Sequence, residues 1–148
     1  MIYRKAIEKD VKSVAELFNA YRVFYKKEAD LKQAEHFILE RLQNNDSEIF
    51  IAEKENDTIV GFVQLFPLFS STRMEKLWLL NDLFVNPDYR GLGVSVNLIE
   101  EAKKLVIHTK ACGMFLETSK SNTVGNNLYP KTGFELNNDS NYYEWNAS

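Results

Sequence analysis

An α/β fold, a mixed sheet covered by helices, is predicted by two observations. Strand-like and helix-like apolar patterns interleave along the chain in the order strand, two helices, three strands, helix, strand, helix, two strands. The 148 residues are 45% hydrophobic and 13% aromatic, enough to fill one core, so a single domain over residues 1–148 is expected.

The opening IYRKA reads as a short strand. Asp10 then stands where it can cap a helix whose apolar residues Val11, Val14, Leu17, Phe18, Tyr21 and Tyr25 recur at helical spacing. Asp30 can cap a second, with Leu31, Ala34, Phe37, Ile38, Leu39 and Leu42 on its buried side and Asn44, Asn45 and Asp46 closing it. The runs EIFIAEK and TIVGFVQLFPLF flank the polar ENDT as a hairpin, with Pro67 expected to end the pairing. KLWLLNDLFV is apolar enough for a central strand, but Asn81 and Asp82 interrupt it. From Gly93 the stripe Val96, Leu98, Ile99, Ala102, Leu105 and Val106 predicts a helix. Gly113 restarts the chain as the strand MFLETS. A short helix from about Thr123 to Thr132 ends at Gly133, and two strand-like pieces, FELN and YYEW, follow around NDSN.

The charge is balanced, 18 basic against 21 acidic side chains and a net −3, which leaves no broad basic face for nucleic acid or anionic lipid. Cys112 is the single cysteine, and no signal segment or long apolar run stands in the chain, so a cytoplasmic protein without membrane contact is expected. His36 and His108 are unaccompanied by other ligand-type residues, and no metal is expected.

The chemistry is expected where strand meets helix. RGLGVS, Arg90 to Ser95, links the strand ending at Val85 to the following helix. A helix N-terminus offers unpaired N–H groups and a positive dipole end, glycines let those groups approach a phosphate, and Arg90 adds a fixed charge. Taken alone, the two glycines equally suit a tight turn. Val96 stands where a dinucleotide fingerprint needs its third glycine, and no Gly-Lys pair supplies a Walker loop.

The segment NDLFVNPDYRGLGVS resembles motif A of the GCN5-related N-acetyltransferases, (R/Q)xxGx(G/A) after a strand ending in Val. Arg90, Gly93 and Ser95 fill its positions, with Ser95 where Gly or Ala is usual. NTVGNNLYPKTGF, Asn122 to Phe134, resembles the family's motif B, NxxAxxLYxxxGF, with Gly125 in place of Ala. The likeness is to the diamine, polyamine and histone-type members. It implies a mixed sheet with helices on both faces and a V-shaped splay between the fourth and fifth strands. It also implies acetyl-coenzyme A (acetyl-CoA) as donor. The N–H groups of Gly91, Leu92, Gly93, Val94 and Ser95 would hold the pyrophosphate, and the backbone of Leu83, Phe84 and Val85 would pair with the pantetheine arm and polarise the thioester. Asn122 would bond the pantetheine amides. Lys131 would reach a phosphate or else stay a solvated surface lysine.

By the same resemblance the Tyr129 hydroxyl protonates the departing thiolate, as a tyrosine of pKa about 10 can toward a thiolate of about 8.5; the alternative is a packing tyrosine. Asn81 replaces the Glu that diamine and polyamine enzymes carry there, which leaves Asp82 as the nearby acid. Asp82 is expected on the opposite strand face from Asn81, either as base or tying down a neighbouring element. Glu117 is a second acid of unknown direction. Tyr21, Phe24, Tyr25, Phe69 and Trp78, with Glu28 or Asp30, are candidates for caging an alkylammonium, against the alternative, favoured for any single ring, that it belongs to the core.

The expected function is therefore acetyl transfer from acetyl-CoA to a primary amine, by a homodimer as family members often are. The acceptor expected is a small-molecule amine, a polyamine or an amino acid. The competing readings are a catalytically degenerate CoA-binding regulatory module, a protein amine as acceptor, and an interaction domain that binds no CoA.

Overall fold

The computed structural model describes residues 1–148, which form two compact units, Met1–Glu117 and Thr118–Ser148. The first unit holds β1 (Ile2–Lys5), α1 (Val11–Phe24), α2 (Leu31–Asn44), β2 (Glu48–Lys54), β3 (Thr58–Ser70), β4 (Glu75–Val85), α3 (Val94–His108) and β5 (Met114–Phe115). The strands lie in the order β1-β2-β3-β4-β5, antiparallel except for the parallel β4–β5 pair. This is the mixed α/β architecture that the element order predicts.

Helices cover both faces. On one, Ile49, Ile51, Phe62 and Phe84 pack against Val11, Val14 and Leu17 of α1 and Ile38 of α2. Gly61, one residue before Phe62, faces the other way and meets α3, since a Cβ there would lie 3.3 Å from a Leu98 methyl. Burial of these aliphatic and aromatic side chains supplies most of the driving force, roughly 2 kcal/mol for each one fully removed from water.

Several expectations change in detail. Asp30 caps α2 as predicted, accepting from Gln33 N at 3.1 Å. Asp10 does not cap α1, because a 3-10 turn, Glu8–Asp10, precedes the helix and turns the carboxylate back. It accepts from both Arg4 terminal nitrogens (2.8 and 2.9 Å) and from Ile7 N (2.8 Å), while Arg4 Nε reaches Glu53 of β2 at 2.8 Å. Arg4 thus ties the edge strand β1 to β2 and to the start of α1.

The ENDT hairpin forms, with Asn56 and Asp57 in left-handed conformation at φ 63° and 59°. Pro67 does not end pairing: the β3–β4 register continues through Pro67↔Trp78 to Ser70↔Glu75. β2 reaches along β3 only to Leu65, so Pro67 lies on an edge stretch, where a missing N–H costs no ladder bond on the open side.

The strand expected over MFLETS shrinks to Met114–Phe115, paired with Trp78 and Leu79. Beyond Leu79, β4 has no neighbour on that side, which is the splay between the fourth and fifth strands.

In the second unit, α4 spans Thr123–Lys131. FELN and YYEW are not strands; residues 134–148 are irregular, with Leu136, Tyr143 and Trp145 more than 80% exposed (81%, 85% and 87%). Strand-like composition makes a strand only where a neighbouring ladder satisfies its N–H and C=O groups, and here no such pairing forms.

Candidate active site

The polar pair that interrupts β4 marks a β-bulge. Gln64 pairs with Asp82 but Leu65 pairs with Leu80, so Asn81 is an extra residue without a partner across β3. The bulge reverses the strand's alternation: Leu80 shares a face with Leu65, whereas Asp82 shares one with Gln64. It also overturns the expectation that Asn81 and Asp82 point to opposite faces, because Asn81 Nδ2 donates to Asp82 Oδ1 at 3.1 Å.

Asp82 is buried at 4% exposure while Asn81 is exposed. Gln64 Nε2 donates to the other carboxyl oxygen, Oδ2, at 2.7 Å, and Ser47 Oγ donates to Gln64 Oε1 at 2.9 Å. From α1 the Tyr21 hydroxyl shares its one hydrogen between the Asn81 carbonyl, at 3.2 Å, and the Asp82 carboxyl. Burial pushes the Asp82 carboxyl above the usual aspartate range, and the hydrogen bonds from Gln64, Asn81 and Tyr21 offset this only in part. An acid of raised proton affinity beside an exposed polar residue is suited to accept a proton.

Gln64 and Ser47 escaped the sequence reading. The signal was present, since Gln64 is the polar residue inside the apolar run TIVGFVQLF, but its partners are set by strand register.

Downstream, Asn86 caps the 3-10 turn Pro87–Tyr89, and the chain enters α3 through Gly91 (φ 78°) and Gly93 (φ 79°). Glycine takes this left-handed conformation without the Cβ crowding that most other residues meet there. A Cβ on Gly91 would meet nothing within 4 Å, so open space borders the turn at that residue. The bond from Asn97 N to Gly93 O (3.1 Å) is the first of α3, and the N–H groups ahead of it are those that a helix start leaves for a ligand. An open turn at the positive end of a helix fits a pyrophosphate.

Arg90 is partly committed to structure: its Nε donates to Val85 O at 3.0 Å and its guanidinium lies 5.3 Å from the Phe84 ring centre. Leu83, Phe84 and Val85 lie on the stretch of β4 left open by the splay.

Among the acceptor candidates, Tyr21, Phe24 and Tyr25 cluster, with ring centres 4.9 Å apart for Tyr21–Tyr25 and 5.2 Å for Phe24–Tyr25. Trp78 is not part of a cage: it is buried, donates from Nε1 to Thr109 Oγ1 (2.9 Å) and carries Lys76 Nζ over its ring. Phe69 and Glu117 are exposed.

In the second unit, Asn122 caps α4, accepting from Gly125 N at 3.2 Å and donating to Thr118 Oγ1 at 2.9 Å. Gly125, where the motif has Ala, makes room for this cap, because a Cβ there would lie 2.5 Å from Asn122 Nδ2. Tyr129 is half-buried, its ring edge-on to Phe134 at 5.7 Å, and Lys131 is exposed. No group of three or more His, Cys, Asp or Glu side chains is placed to hold a metal.

The model of the Acetyltransferase (GNAT) family matches residues 11–134. An uncharacterized N-acetyltransferase of Bacillus subtilis is 42% identical over 135 residues, 91% of this chain and 90% of that protein. A probable acetyltransferase of Haemophilus influenzae is 30% identical over 144 residues, 97% of each. The crystal structure of a probable acetyltransferase superposes with a TM-score of 0.94 at 31% identity, covering 100% of this chain and 99% of that one.

Proposed function

The chain belongs to the GNAT acetyltransferase family, whose acetyl donor is acetyl-CoA, and we propose that it transfers the acetyl group directly to the primary amine of a small molecule, polyamine or amino acid. The observation that carries this reading is the bulge at Asn81. It sets the buried Asp82 carboxyl against the exposed Asn81, on the same strand that leads into the anion-binding turn.

Acetyl-CoA, when bound, supplies the acetyl group as a thioester. The N–H groups of Gly91 to Ser95 hold its pyrophosphate, with Arg90 alongside, and the backbone of Leu83 to Val85 pairs with its pantetheine arm. Asn122 and Lys131 are the proposed side-chain contacts to its amides and phosphates. Asp82 takes the proton that an ammonium must lose before its nitrogen can attack, and Asn81 orients the incoming nitrogen or a water. The Tyr129 hydroxyl holds the proton for the departing sulfur. The family match runs from residue 11 to 134, across both compact units, which supports reading residues 1–148 as one N-acetyltransferase domain. No helix is long and apolar enough to cross a membrane. We further propose a cytoplasmic homodimer; sedimentation at twice 17.2 kDa is the expected result, and a monomer at micromolar concentration would remove that part.

Thiol release from acetyl-CoA, measured with a diamine, a polyamine, free amino acids and a peptide N-terminus, tests the reading. Acetylation of a small amine is expected. Turnover confined to the peptide would make the acceptor a protein amine. Asn81 in place of a glutamate favours one second reading, a CoA-binding regulatory module; calorimetric binding of acetyl-CoA with no amine raising thiol release would establish it.

A further inference from the structure

Gln64 poses a physical question that acetyl transfer by Asp82 alone does not answer. Its side chain is fully buried between the sheet and α1, where an apolar residue would fill the space without the cost of burying an amide. Both ends of that amide are used in one orientation: Oε1 accepts from Ser47 Oγ at 2.9 Å, and Nε2 donates to Asp82 Oδ2 at 2.7 Å. Ser47 is itself 7% exposed, so its hydroxyl is part of the same water-poor chain. Rotating the amide by half a turn would set Oε1 against a carboxylate oxygen, which can only accept, and the Ser47 hydroxyl holds the Oε1 end of the amide in the orientation that avoids this.

The groups facing Asp82 are all neutral donors: Gln64 from β3, Asn81 from β4 and Tyr21 from α1, of which only Tyr21 can titrate. No cation balances the carboxylate, so its charge is held by these hydrogen bonds, and the Gln64 bond at 2.7 Å is shorter than the Asn81 bond at 3.1 Å.

We propose that Gln64 and Ser47 are positioning residues for the acetyl transfer: Gln64 fixes the Asp82 carboxyl and Ser47 fixes Gln64, so that Asp82 is an ionised proton acceptor at neutral pH. Oδ1 is then the oxygen turned toward Asn81 at the exposed end of the chain. In the step served, an N–H bond of the acceptor ammonium breaks, its electron pair stays on nitrogen, and the proton forms an O–H bond on Asp82. The proposal rests on Asp82 being that acceptor.

The test compares wild type with Gln64→Met, Ser47→Ala, Ser47→Thr and Asp82→Asn, using the best amine of the panel above. Two quantities are followed with pH: the carbon-13 shift of the Asp82 carboxyl, and kcat/KM. Loss of the Gln64 donor is expected to move both the carboxyl titration and the acidic limb of kcat/KM upward together by about one pH unit, a tenfold lower rate at pH values below the limb. Ser47→Ala should move both the same way by less, and Ser47→Thr, which restores the hydroxyl, should return them. Calorimetric affinity for acetyl-CoA should stay within about twofold throughout. If Gln64→Met does not fold, the Ser47 pair decides the question by itself.

An unmoved limb in Gln64→Met and Ser47→Ala, or an equal loss of rate at every pH, overturns the proposal even where Asp82→Asn abolishes turnover and the limb. Full turnover with the limb intact in Asp82→Asn instead removes the assignment of Asp82, so the two failures are distinguishable.

Discussion

Asp82 and Tyr129 are assigned opposite proton duties, and substitutions at the two should therefore fail differently. Asp82→Asn keeps the volume and one acceptor oxygen but cannot take a proton near neutrality. We expect kcat/KM to fall by roughly a hundredfold or more and the acidic limb of the pH profile to disappear, read by thiol release. Tyr129→Phe removes only a hydroxyl from a half-buried ring whose edge contact with Phe134 survives. Turnover should drop by about tenfold to a hundredfold, with acetyl-CoA affinity in calorimetry nearly unchanged. An unchanged rate would leave Tyr129 as a packing residue. Tyr21, first considered for an aromatic cage, also bonds Asp82 and the Asn81 carbonyl, so its ring and its hydroxyl have separate uses.

At the scale of elements, the turn between β4 and α3 is where backbone conformation and the proposed pyrophosphate binding coincide. Gly93 has φ 79°, and the space around its Cβ position is nearly free, with Asn97 Nδ2 nearest at 3.7 Å. Gly93→Val is thus opposed by conformation rather than by crowding, at a cost of about 1–3 kcal/mol. The chain can relieve that strain only by turning its N–H groups away. We expect acetyl-CoA affinity to fall at least a hundredfold while the melting temperature drops by only a few degrees; retained affinity would contradict the pyrophosphate assignment. This turn could be read in advance because glycine spacing and a following helical stripe are local signals. The bulge could not: NDLF shows a polar interruption, but which residue is extra depends on how β3 aligns against β4. The same dependence on partners explains why MFLETS yields only a short strand and FELN and YYEW none, although their composition suits strands.

Over the whole molecule, periodicity specified the helices and the antiparallel strands, and resemblance pointed to both cofactor motifs, while the buried polar contacts emerged only with the fold. Those contacts set how stability responds to pH, through two buried aspartates of opposite character. Burial alone would raise the Asp10 carboxyl, but the Arg4 guanidinium and the Ile7 N–H outweigh it and hold the group below the usual aspartate range. An acid with a lowered folded pKa contributes stability that is present above its unfolded pKa of about 3.9 and is lost as pH falls through the folded value. Asp82, raised by burial, has the reverse sign: ionised, it costs stability above its folded pKa, and that cost fades as pH falls toward about 3.9. Urea unfolding from pH 8 to pH 3 should separate the two. At neutral pH, Asp10→Asn is expected to be about 2 kcal/mol less stable than wild type, through loss of charge-assisted bonds to Arg4. Asp82→Asn is expected to equal or exceed wild type in stability despite its lost activity, because it removes a buried charge while keeping an acceptor for Gln64. Acidification should shrink both differences, the first because wild type loses a stabilising pair and the second because wild type sheds a costly charge. A stability gap for Asp82→Asn that stays constant across this range would mean that Asp82 is not raised, and a gap for Asp10→Asn that widens in acid would reverse the sign assigned to the Arg4 pair.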